Sequence, residues 1–250
     1  MLKTLKRAPR VYDKILREMG MRTRPFHFNE AVNFDLSCIL IAVPKTGTTT
    51  VRSQIRKAGD FMFPEPHLNA MQVRRGLYAY FLKQALKTNT SFPSKGVPTD
   101  AELVEASEAV FRDFFKFSAV RNPWARTASI YARAEGLQLR DTMSFSQFCD
   151  QLTAASDTCS YPTWHKNQAD WLVDDTGEIC MDYVYKVEDA ANAFAEIRER
   201  TEGRVQLEAV HRNVNPNSKS ATYQDLYDDA SKAAIGRLFE KDIDLFKYAF

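Results

Sequence analysis

Glycine is scarce in this chain: nine residues in 250, roughly half the usual share. That shortage disfavours a turn-rich all-β protein and makes any glycine inside a motif informative. Cysteine is sparse too. Cys38, Cys149, Cys159 and Cys180 form no Cys-x-x-Cys pair and have no closely spaced histidine, so the usual zinc grammar is missing and no metal is expected. Cys149 and Cys159 could pair in an oxidising compartment, but packed, reduced thiols are the expectation. No stretch approaches the ~18 apolar residues of a membrane span; the best run is only Cys38 to Val43. Nor does either charge dominate. Lys and Arg number 34 against 32 acidic residues, a net +2, which argues against a nucleic-acid partner.

The even balance hides a bias. Between Met1 and Phe26 there are eight basic residues against Asp13 and Glu18, so the remainder of the chain is mildly acidic. Residues 1–30 therefore read as a basic N-terminal arm, either a solvated helix or a segment for peripheral contact with an anionic membrane. The arm lacks the apolar core of a signal peptide, because Leu2, Leu5 and Ala8 alternate with charge. A cytoplasmic location is the expectation, unless the chain is cut from a membrane-anchored parent. No repeat and no Pro-, Gly- or Ser-rich linker divides residues 31–250, which should form one domain.

What is present alternates between strand and helix. Ser37 to Val43 is a short continuous apolar run, as expected of a strand buried on both faces, and Pro44 ends it. Helix should start near Thr48 and stop at Gly59. A second strand, Phe115 to Val120, is followed by Pro123 at a first helical turn and a helix to about Glu135, before Gly136. Tyr183 to Val187 is a third strand, with helix through Arg200, and Arg204 to Leu207 a weaker fourth. Residues 67–113 look helical around a polar break at 88–99, and helical spacing returns from Thr222 to Phe246. The alternation predicts a doubly wound α/β fold with a central parallel sheet, whose ligands sit at the strands' carboxyl ends.

Two strand-to-helix junctions carry the chemistry. The first is Val43-Pro-Lys-Thr-Gly-Thr-Thr-Thr50. A helix N-terminus there offers backbone N–H groups and a positive dipole end, Lys45 a full charge, and Gly47 a backbone without a Cβ. Lys45 precedes the glycine, unlike the G-x-x-x-x-G-K-[ST] triphosphate loop, and no strand ends in an Asp suited to magnesium. The second is Val120-Arg-Asn-Pro-Trp-Ala-Arg-Thr-Ala-Ser-Ile-Tyr131. Arg121 lies at a strand end, while Arg126, Ser129 and Arg133 share one helical face, a fork-like anion site or a solvated stripe.

Together these segments resemble the paired signature of sulfotransferases that use 3′-phosphoadenosine 5′-phosphosulfate (PAPS), a P-K-[TS]-[GA]-[TS]-[TS] loop followed by R-[DN]-P-x-x-R-x-x-S-x-Y. Phe117 to Arg126, Asp182 to Asp189 and Lys241 to Phe250 are further similar to the heparan sulfate 2-O-sulfotransferase-like carbohydrate branch. The resemblance spans about residues 36–250 and implies a P-loop-like three-layer fold with helices flanking the sheet. It also implies that Lys45, Thr46, Gly47, Thr48, Thr49 and Thr50 hold the 5′-phosphosulfate, and Arg121 and Ser129 the 3′-phosphate. The acceptor would be a carbohydrate or polysaccharide hydroxyl. The Golgi lumen would be the location of a truncated catalytic domain. The stretch from Leu77 to Arg112 looks like an insertion.

In-line transfer calls for a base, and histidine has the fitting pKa. The chain has His27, His67, His165 and His211. Pro66-His-Leu-Asn-Ala70 resembles the family's G-H-x-[ST]-A segment, with departures at Pro66 and Asn69, which favours His67 over Glu65 and His165. Lys45 would stabilise the leaving oxygen. Trp164, Trp171, Tyr161 and Gln168 could form a sugar platform or simply be core. Arg74 and Arg75 could serve an acidic glycan or be solvated, and Ser218 or Lys219 could close over the nucleotide. Two other readings stay open: a small-molecule kinase of the same superfamily, and a non-catalytic nucleotide- or glycan-binding module.

Overall fold

The computed structural model describes residues 27–91, 98–132, 142–155, 164–209 and 222–250. Four strands form one sheet in the order β1 (Val32–Asn33), β2 (Cys38–Ile41), β3 (Phe115–Val120), β4 (Tyr183–Lys186). The last three run parallel, with Cys38 opposite Phe115 and Phe117 opposite Tyr183. Strand β1 lies antiparallel on the edge, Val32 opposite Ile39.

Alternation along β2 sorts the core into two faces. Ile39, Ile41 and Val43 pack with buried residues of α2 (Ala70–Ser91) and α3 (Asp100–Asp113), among them Leu77, Phe81, Leu103 and Val110. Cys38, Leu40 and Ala42 face the other way, toward Val51 and Ile55 of α1 (Thr48–Ile55) and Phe194 and Ile197 of α6 (Ala190–Arg200). The fold is therefore α/β with helices on both sides of the sheet. The described parts of the stretch from Leu77 to Arg112, in α2 and α3, belong to one of the layers, since Leu77, Tyr80 and Phe81 are wholly buried. A third cluster joins α4 (Pro123–Tyr131), α5 (Phe145–Thr153) and α7 (Asp229–Leu238), with Phe239 leading into α8 (Glu240–Phe246).

Helix α1 ends at Ile55, four residues short of Gly59, which packs instead against the His27 ring. The expected strand at Arg204 to Leu207 does not form. The Arg204 and Val205 N–H groups donate to Thr201 O and Oγ1, so a turn after α6 takes the donors that a ladder would need. Glu135, Gly136 and Arg133 lie outside the described residues, as do the basic arm through Phe26 and Cys159. Cys149 is a buried free thiol, and burial pushes its pKa up to about 12.

Because β2, β3 and β4 are parallel, their carboxyl ends share one edge of the sheet. Pro44 to Gly47, Arg121 with Asn122, and Val187 with Glu188 are gathered there.

Candidate active site

The turn from β2 into α1 is held in an unusual shape. Lys45 (φ 69°) and Gly47 (φ 71°) both adopt left-handed backbone, a conformation that costs a non-glycine residue roughly 1–2 kcal/mol. The buried Thr46 hydroxyl donates to Val43 O at 3.0 Å, so its side chain shapes the loop and faces inward. Gly47 is required for two reasons, its backbone and Val187, whose Cγ2 would lie 2.9 Å from an added Cβ. The glycine thus answers to packing against the β4 edge as well as to loop geometry. Helices α3, α4, α5 and α7 each begin under a side-chain cap, from Thr99, Asn122, Ser144 and Asp228. Helix α1 begins at Gly47 with none. The Thr50 N–H donates to Gly47 O at 3.2 Å, which leaves the N–H groups of buried Thr48 and exposed Thr49 as the ones that could meet an anion.

His67 is fastened to the end of β2. Its Nδ1 lies 2.6 Å from Ala42 O; a carbonyl can only accept, so Nδ1 carries the proton and Nε2 keeps its lone pair. The backbone around it is pinned as well. Its N–H donates to Glu65 Oε1 at 2.7 Å, and Trp171 Nε1 donates to its carbonyl at 3.4 Å. Asn69 and Gln72 exchange side-chain-to-backbone bonds that start α2, which accounts for Asn69 in the segment. Burial lowers the His67 pKa below the ordinary histidine value, and the charges of Arg52 and Lys45 push the same way. The Ala42 bond and Glu65 oppose them. The result is a neutral imidazole in electrostatic reach of Lys45. Glu65 is exposed and tied to the His67 backbone, and His165 lies half-buried ahead of the 3-10 turn Gln168–Trp171.

Across the edge, Asn122 caps α4, its Oδ1 accepting from Trp124 and Ala125 N–H groups, with Pro123 in first position. Its own N–H donates to Glu188 Oε1 at 2.8 Å, and its Nδ2 to Ala249 O at 2.6 Å. Arg121 is half-buried at the end of β3, and Ser129 is half-buried on α4. Arg126 does not join them in a fork. It is 1 % exposed, and its Nε and Nη1 donate to Pro44 O at 3.1 Å and Lys166 O at 3.2 Å. Burial pulls its pKa down to about 10, with Asp242 opposing, so it stays a cation.

The structure thus brings the Lys45 loop, His67 and Arg121 to one edge. It sends other candidates elsewhere. Trp164 and Trp171 are buried in the core, and Gln168 is wholly buried, so the described members form no sugar platform. Arg74 pairs with Glu108 and Asp175, and Arg75 with Asp175. Tyr161, His211, Ser218 and Lys219 lie outside the described residues. Residues not singled out from sequence are Glu188 and Asp242, although each sits in a segment already noted, 182–189 and 241–250.

A family model described as "Sulfotransferase family" matches residues 32–249, nearly the whole chain beyond the basic arm. The chain belongs to the sulfotransferase family. No curated protein and no solved structure gives a match. Among the described residues of this sulfotransferase, no helix is long and apolar enough to cross a membrane. Nor does any group of three or more His, Cys, Asp or Glu side chains there have the arrangement to hold a metal.

Proposed function

We propose that this sulfotransferase moves the sulfuryl group of PAPS onto a hydroxyl of a carbohydrate or polysaccharide acceptor. The observation that carries this reading is the shared edge: an uncapped helix start and Lys45 at β2, Arg121 at the neighbouring β3, and His67 bonded to Ala42 O between the sheet and α2. Two anion loops on adjacent parallel strands suit a ligand that is anionic at both ends. The N–H groups of Thr48 and Thr49 and the Lys45 ammonium hold the 5′-phosphosulfate. Arg121 and Ser129 hold the 3′-phosphate, arginine through its planar fork.

Transfer is an in-line displacement. His67 Nε2 takes the proton of the acceptor hydroxyl as that oxygen bonds to sulfur. The bond from sulfur to the 5′-phosphate oxygen breaks, and Lys45 stabilises the charge that develops there, leaving adenosine 3′,5′-bisphosphate. The Ala42 carbonyl keeps the His67 proton on Nδ1, so the basic nitrogen is the one turned away from the sheet.

One binding measurement separates the readings. Adenosine 3′,5′-bisphosphate without magnesium, at about 100 times its Kd, should raise the melting temperature by roughly 5–10 °C. A response to Mg-ATP in its place would favour a kinase, and nucleotide binding without sulfate transfer to any glycan would favour a binding module.

The pH dependence follows from the sign of the His67 shift. A base must be neutral, and the folded environment disfavours the imidazolium. Activity is therefore retained below pH 6.5 and lost only as pH falls through the lowered pKa. The acid limb of kcat/KM should have its midpoint below the ordinary histidine value of about 6.5. A midpoint above it would remove His67 from the role.

A further inference from the structure

Two side chains assigned above to neither ligand nor core each grip the backbone beside one anion loop. Arg126, on α4, reaches Pro44 O, the carbonyl immediately before Lys45. Gln168 holds Arg121 itself from both sides, its Oε1 accepting from Arg121 N at 2.8 Å and its Nε2 donating to Arg121 O at 2.8 Å. The amide pairs with Arg121 as a peptide unit would, just past the residues of β3 that pair with β2 and β4. Gln168 and Arg126 are tied to one segment, since Arg126 also donates to Lys166 O, two residues before Gln168. Asp242 of α8, wholly buried, accepts from Gln168 N at 2.7 Å, Gln168 Nε2 at 3.2 Å and Ala169 N at 2.9 Å, and lies within electrostatic reach of Arg126. The Arg126 guanidinium also lies 5.6 Å from the Phe239 ring centroid.

Such a network is costly to bury. Ionised side chains at 1 % and 0 % exposure lose their hydration, and a packed apolar set of the same volume often stabilises a fold as well or better. An arrangement with that cost, ending on the carbonyl before Lys45 and on both backbone groups of Arg121, fixes a distance. We propose that Arg126 and Gln168, joined through the segment from Lys166 to Gln168 that Arg126 also holds, are positioning residues that brace the two anion loops at a set separation. This inference rests on the PAPS reading and extends it. The brace acts as a gauge for a nucleotide with phosphates at both the 3′ and 5′ positions, because a ligand that bridges two fixed sites binds its second end without a further loss of freedom. A monophosphate touches one loop alone and gains nothing from the separation being fixed.

The test compares adenosine 3′,5′-bisphosphate with adenosine 5′-monophosphate and adenosine 3′-monophosphate, by calorimetric titration of the full chain. Variants are Gln168→Met and Arg126→Met, with melting curves to establish that each is folded. Gln168→Met keeps the volume and both buried charges, so it serves if Arg126→Met fails to fold. The expected result is a loss of at least tenfold in bisphosphate affinity, with each monophosphate changed by less than threefold. Three results overturn the brace. One is unchanged bisphosphate affinity in a folded variant, which makes the network ordinary packing. Another is an equal loss for the bisphosphate and the monophosphate of the gripped loop, which makes each contact local. The third is a wild-type chain that does not bind the bisphosphate, which removes the PAPS reading as well; the first two leave that reading intact.

Discussion

Lys45→Met should lower kcat by about 10²–10³-fold, the usual loss when one preorganised donor to a developing oxyanion is removed. Lys45 sits on left-handed backbone between Pro44 O, held by Arg126, and the Thr46 hydroxyl, held by Val43 O. Its position is set by the loop's own bonds, so the loop should persist when the ammonium is replaced by an apolar side chain of similar length. Ground-state binding should suffer less than turnover, because the charge on the leaving oxygen grows along the reaction. Steady-state kinetics with saturating donor, read as kcat and KM separately, check this. A variant within tenfold of wild-type kcat would take Lys45 out of the chemistry.

His67→Ala should cost about 10²–10⁴-fold in turnover, the span usual for a positioned base, with affinity for adenosine 3′,5′-bisphosphate close to wild type. Alanine also leaves Ala42 O without its donor, which costs roughly 1–3 kcal/mol if the carbonyl stays dry. His67→Gln separates the two effects. An amide N–H can restore the bond to Ala42 O, yet it supplies no basic nitrogen. Both variants should be equally slow, and the glutamine form should melt higher. If His67→Gln turned over at a wild-type rate, the imidazole would be a structural tie only.

Much of the architecture could be read from particular residues. The continuous apolar run at Cys38 to Val43, cut by Pro44, is a strand because a parallel sheet covered on both faces needs side chains of that kind, and Phe115 to Val120, broken by Lys116 and Ser118, is buried along its whole length beside it. Val32–Asn33 was invisible for lack of length, since two residues show no period. Arg204 to Leu207 alternates like a strand, but the hydroxyl of Thr201 and its carbonyl claim the N–H groups, a local competition that periodicity does not register.

The site divides in the same way. Lys45, Gly47 and Arg121 were put forward from strand ends and helix starts and His67 from the family resemblance, and the fold brings these candidates to one edge of the sheet. Arg126 was misplaced since helical spacing with Ser129 and Arg133 suggests an anion fork or a solvated stripe, whereas its partners are the carbonyls of Pro44 and Lys166, distant in the chain. Gln168 was weighed as a sugar contact on the strength of nearby tryptophans, and only the fold brings it onto Arg121. Asp242 gave no cue of its own. A charge in an amphipathic helix is ordinarily solvated, and its burial depends on the docking of α8.

The bond from Asn122 to Ala249 has a consequence for how the molecule acquires its function. It joins positions 127 apart, against 77 for the pairing of Cys38 with Phe115 that joins β2 to β3. The sheet needs nothing beyond Lys186 to pair its strands. A chain emerging from the ribosome can therefore assemble β1 through β4 while the loop after β3 still lacks its fastenings. Contacts so distant in sequence carry the largest closure entropy and form late. The scaffold comes first, and competence to bind waits for the arrival of α8 and the residues that follow it.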